Sequence, residues 1–148
     1  MKIKSVVTDL SHDDLVNLFS TATYGNNWLS AYYDKEKYNG LFAVNECFED
    51  KLASIILKGG TIEFIDGNAE DENDKYGHVN KAAYWDNENN CMCYPVTLQD
   101  ITDGLGRASG SDYGRKCLNE FADENGDFDI CMAENLVQYI IFGELVYG

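Results

Sequence analysis

Residues 123–134, DENGDFDICMAE, hold the most regular spacing of oxygen ligands in the chain. Laid on the calcium loop of an EF-hand, Asp123, Asn125, Asp127, Asp129 and Glu134 take positions one, three, five, seven and twelve. Such a loop also needs a glycine at position six, where positive φ makes the sharp turn. Phe128 stands there, and Gly126 comes two residues early. The expectation is a polar turn between helices, with Asp127 or Asp129 as an N-cap, rather than a calcium site.

Cys91 and Cys93 are a second candidate. Two residues apart on a strand, their thiols point to one face. A zinc ion would need further ligands, from His78 or another cysteine. Core packing is the simpler reading of both thiols, and no metal or other cofactor is expected. The five cysteines, at 47, 91, 93, 117 and 131, lack the spacing of a disulfide framework. Cys47, Cys117 and Cys131 fall in helical patterns, where a buried thiol is the expectation.

The third candidate is the loop GNAEDENDKYG, residues 67–77, with Asp66 before it. Asp66, Glu70, Asp71, Glu72 and Asp74 follow one another with no cation before Lys75. Such a run holds a metal, imitates the phosphates of a nucleic acid, or keeps a protein dissolved. Catalysis finds less support. There is no nucleophile with a base at a known spacing and no hydrolase signature, and GRASGS (106–111) lacks the lysine of a phosphate loop. His12 and His78 are the only imidazoles, and His12 falls in the first turn of a helix, at the surface. No catalytic residue is assigned, and a non-enzymatic protein is expected.

Charge says more than any motif. Eleven Lys and Arg stand against 26 Asp and Glu, a formal charge of -15, whereas about 2 to 8 units keep a small domain dissolved. No basic residue follows Lys116, while Glu120, Asp123, Glu124, Asp127, Asp129, Glu134 and Glu144 do. This field repels nucleic acid and anionic membranes and attracts a basic protein surface. No apolar run is long enough for a membrane span, and MKIKSVVTDL lacks the apolar core of a signal peptide, so a cytoplasmic protein is expected.

The elements that must position these residues are legible in outline. Residues 2–8 alternate as a strand. Ser11 and Asp14 make a capping box for a helix over 12–24, stopped by Gly25. Trp28, Tyr32 and Tyr33 suggest a short helix. A second helix begins near Asn45, turns Phe48, Leu52, Ile55 and Ile56 inward, and ends at Gly59 and Gly60. Strand TIEFID leads into the acidic loop. VNKAAYWD and CMCYPV form a hairpin, with Pro95 near an edge or a strand end. Thr97 and Asp100 cap a helix that Gly104 and Gly106 weaken or end. Helices over SDYGRKCLNEFAD and from Asp129 to Gly143 complete the chain. Residues 1–148 are expected to form a single α+β domain, with about four antiparallel strands and four or five helices.

SHDDLVNLFSTATYGNNWLS and AENLVQYIIFGELVYG resemble segments of a group of small bacteriophage and mobile-element accessory proteins. The matching positions are Thr21, Ala22, Gly25 and Trp28, then Gln138, Phe142, Gly143, Glu144, Val146, Tyr147 and Gly148. The resemblance covers about a third of the chain and implies action in the host cytoplasm against host defences. It carries no activity with it.

Charge and resemblance together lead to an expected function. The protein is read as a non-enzymatic anti-defence inhibitor that mimics DNA on the basic, nucleic-acid-binding surface of a defence effector, with a CRISPR effector nuclease as the target class. Asp66, Glu70, Asp71, Glu72 and Asp74 are the first candidate contacts, with Asp123, Glu124 and Asp127 second. An alternative is a small-molecule protein sequestering a nucleotide immune signal in an aromatic pocket around Trp28, Tyr32 and Trp85. A metal-binding or structural accessory protein is a further alternative.

Overall fold

A computed structural model describes residues 7–25, 27–42, 46–77 and 79–148. Among the described residues, five α-helices and one antiparallel sheet are complete and make an α+β fold. The helices are α1 (His12–Thr23), α2 (Phe48–Leu57), α3 (Leu98–Ala108), α4 (Asp112–Ala122) and α5 (Ile130–Ile141). The strands are β1 (Leu29–Tyr32), β2 (Ile62–Asp66), β3 (Tyr84–Asp86) and β4 (Cys91–Val96), in the order β1-β2-β4-β3.

Local sequence explains most helix boundaries. The capping boxes Ser11/Asp14 and Thr97/Asp100 form in both directions at α1 and α3, each satisfying orphan donors of a first turn. Ser111 and Asp129 accept from the backbone N–H of Gly114 and Met132 and cap α4 and α5. Gly25, Gly59 and Gly143 take positive φ just beyond α1, α2 and α5.

Four expectations are corrected. The segment after Trp28 is strand β1, not a helix, because Leu29–Tyr32 pair with Glu63–Asp66 and bury Leu29 under α1. The strand expected at 2–8 lies outside the described residues up to position 6, and Val7 and Thr8 are helical. Asn45 also lies outside them; the N-cap of α2 is Cys47, which makes no side-chain cap hydrogen bond, and Phe48 is exposed while Leu52, Ala53, Ile55 and Ile56 are buried. Gly104 and Gly106 do not end α3, which continues to Ala108. Gly104 serves packing instead: a Cβ there would lie 2.4 Å from the Ile140 Cα, so its bareness lets α3 and α5 approach.

Register divides the sheet into two faces. Leu29, Ala31, Phe64, Asp66, Met92, Tyr94 and Trp85 turn to the helices, and Phe64, Tyr94, Ile62 and Val96 are fully buried there. Tyr32, Glu63, Ile65, Cys91, Cys93, Tyr84 and Asp86 turn away from them. Pro95 sits near the end of β4, beyond the last residue that β3 reaches, and its carbonyl accepts from Asn80 Nδ2 at 2.8 Å. Its N and C=O share one side of the strand, so the missing donor interrupts no ladder.

Candidate functional site

The acidic loop is a built structure. Asp66 is fully buried, and its Oδ1 accepts from the Asn68 N–H at 2.9 Å and its Oδ2 from the Tyr147 hydroxyl at 2.7 Å. Burial raises its pKa above the usual carboxylate range. Asp66 therefore leaves the set of surface contacts: it ends β2 on the helix side of the sheet and anchors the loop from within. Asp71 Oδ1 accepts from Asn73 N–H at 2.8 Å, and Asp74 Oδ2 from Glu70 N–H at 2.6 Å, closing the loop around a 3-10 turn at Glu72–Asp74. Glu70, Asp71 and Glu72 are exposed.

The second acidic block gathers partners that sequence spacing did not suggest. Asp13 and Asp14 at the start of α1 face Glu120, Asp123 and Glu124 at the end of α4 across a cleft of about 490 Å³, also lined by Asn17, Phe121 and Phe128. Among the described residues, no lysine or arginine lines it. Asp127 is exposed, and its N–H donates to Glu120 Oε2 at 2.6 Å. None of the acidic-loop carboxylates lines this cleft. Only the tertiary packing of α1 against the 123–128 turn could reveal Asp13 and Asp14 as neighbours of this block.

Within that block the spacing of a calcium loop is not assembled into one. Asp129 caps α5, Asp123 Oδ1 accepts from Asn125 N–H at 3.1 Å, and Glu134 Oε1 accepts from the Trp28 indole at 2.6 Å. The residue at position twelve thus belongs to the contact between α5 and Trp28.

The aromatic residues separate into two groups. Trp28 stacks on Phe142 at 6.2 Å and meets Tyr147 edge-on at 4.7 Å, and Tyr76 and Tyr94 complete the cluster around Phe142. Trp85 lies opposite Met92 on the helix side, and Tyr32 opposite Glu63 on the other. Trp28, Tyr32 and Trp85 do not line one pocket, which corrects that expectation: Tyr32 and Trp85 lie on opposite faces of the sheet, and Trp28 is a packing residue. Aromatic content alone does not reveal strand register.

The face turned from the helices holds the cysteine pair. Cys91 and Cys93 Sγ atoms lie 3.9 Å apart and are buried. Burial pushes the Cys93 thiol up to about 12 and raises Cys91 as well, the reverse of an activated nucleophile. Asp86 brings a carboxylate to the same place. His78, one of the candidate further ligands, lies outside the described residues. Cys117 is buried as expected, whereas Cys47 and Cys131 are exposed.

No family model, curated protein or solved structure matches the chain. Among the described residues, no helix is long and apolar enough to cross a membrane.

Proposed function

We propose that the protein is a non-enzymatic acidic inhibitor, of phage or mobile-element origin, that docks on the basic nucleic-acid-binding surface of a defence effector in the host cytoplasm. The observation that carries this reading is the cleft between α1 and the 123–128 turn, where five carboxylates from two distant segments line a concavity with no lysine or arginine among the described residues. A concave surface of one sign focuses its field on a protruding lysine or arginine, and those are the groups that otherwise neutralise phosphates. Glu70, Asp71 and Glu72 present a second exposed acidic group, held in the closed loop. Rigid presentation matters because a mimic must offer charges already in place rather than order them on binding.

The test is a titration of the protein against a purified CRISPR effector nuclease, with duplex DNA as competitor and salt as the variable. Binding should be displaced by DNA, weaken as salt rises, and fall at least about tenfold when Asp13→Asn is combined with Glu124→Gln, a loss of about 1.4 kcal/mol. Binding that persists unchanged in those variants and in Glu70→Gln/Glu72→Gln would remove the acidic surface from the mechanism.

A further inference from the structure

We propose that Cys91, Cys93 and Asp86 form a metal site on the open face of the sheet, for a zinc-class divalent ion, with a fourth position facing the adjoining cavity. The three ligand atoms lie within 4.8 Å of one another. Around a tetrahedral zinc with Zn–S bonds of about 2.3 Å, two sulfurs stand about 3.8 Å apart. The Sγ atoms of Cys91 and Cys93 are 3.9 Å apart before any ion is added.

The strands produce this arrangement. Alternation along β4 puts both thiols on one face, and the antiparallel register sets Asp86 directly opposite Cys91. The carboxylate is held at the β3–β4 turn, where Oδ1 accepts from the Glu88 N–H at 2.9 Å and Oδ2 from Asn89 Nδ2 at 2.8 Å. A carboxylate offers about four lone-pair positions, so these bonds leave room for a metal while the turn fixes its direction. Hydrogen bonds of this kind are what orient ligands in metal sites.

Both thiols are buried, but on the face of the sheet turned from the helices. The helix-packed core takes in Cys117 but neither Cys91 nor Cys93. Beside them opens a cavity of about 490 Å³, lined also by Tyr32, Glu63, Ile65 and Tyr84, which gives an ion a way in and leaves room for water or a donor from another molecule. Two thiolates select a zinc-class ion over calcium or magnesium. Each thiol gives up its proton to solvent when the ion binds.

Cobalt(II) titration under a non-thiol reductant tests the site, since thiolate-to-cobalt charge transfer is absent from carboxylate-only sites. One equivalent should bind with a near-ultraviolet charge-transfer band that zinc bleaches. The band should vanish in Cys91→Ser/Cys93→Ser and remain in Cys47→Ser/Cys131→Ser, which removes the exposed thiols. Asp86→Asn, which keeps the acceptor of the turn, should bind at least about tenfold more weakly. No charge-transfer band in cobalt excess would overturn the proposal, as would a band that disappears with Cys47 and Cys131. Should the double serine variant not fold, the Cys47/Cys131 and Asp86 variants decide alone.

Discussion

The Tyr147 hydroxyl donates to Asp66 Oδ2 at 2.7 Å, joining residues 81 positions apart. One end of the bond is a fully buried carboxylate at the close of β2. The other belongs to a segment that the buried Gln138 holds in place, its Oε1 accepting from the Val146 and Tyr147 N–H groups at 2.7 and 2.8 Å and its Nε2 donating to the Tyr147 carbonyl at 3.1 Å. Segment 143–148 and the acidic loop are therefore parts of one polar and aromatic assembly.

Tyr147→Phe removes the only side-chain donor to Asp66 among the described residues and leaves a buried carboxylate oxygen short of a partner. The expected cost is about 1–3 kcal/mol, read as a lower urea midpoint with an unchanged m-value.

Asp66 also sets a pH dependence. Its folded pKa is raised by burial, so the folded state keeps this proton to higher pH than the unfolded chain. The stability from the protonated form is full below the unfolded carboxylate value of about 3.9 and is lost as pH rises through the folded value. Asp66→Asn has no such proton. Its stability relative to the parent should grow with pH across that window, and parallel urea-unfolding curves at every pH would show that Asp66 is not the group.

Two glycines of α3 should respond in opposite directions to alanine. Gly104→Ala drives a methyl to within 2.4 Å of the Ile140 Cα, and overpacking of this kind costs about 1–3 kcal/mol. Gly106→Ala meets nothing within 4 Å and should gain about 0.5–1 kcal/mol of helix propensity. Thermal unfolding of the two variants checks the pair, and equal shifts would refute the close approach of α3 and α5.

Within the acidic loop, Asp71→Ala and Asp74→Ala each remove an acceptor of a backbone N–H and should cost about 0.5–2 kcal/mol. Glu70→Gln and Glu72→Gln should change stability by no more than about 0.5 kcal/mol. Chemical denaturation separates the two pairs, one holding the loop's shape and the other supplying charge to a partner.

What the sequence by itself determined is local or periodic. The boxes at Ser11/Asp14 and Thr97/Asp100, the cap at Asp129, the stop at Gly143 and the alternation of TIEFID all depend on residues within a few positions of one another. Net charge is a sum and needs no structure. The tertiary structure alone decided that Leu29–Tyr32 is a strand, because an edge strand of four residues is stabilised by its neighbour rather than by its own propensity. It decided that Asp66 is internal while Glu70 and Glu72 are exposed, since a run of carboxylates carries no sign of which one a distant tyrosine will meet. It also placed Asp13 and Glu124 on the walls of one cleft. Proximity across a fold is fixed by how helices pack and strands register, and short-range sequence pattern does not encode those distances.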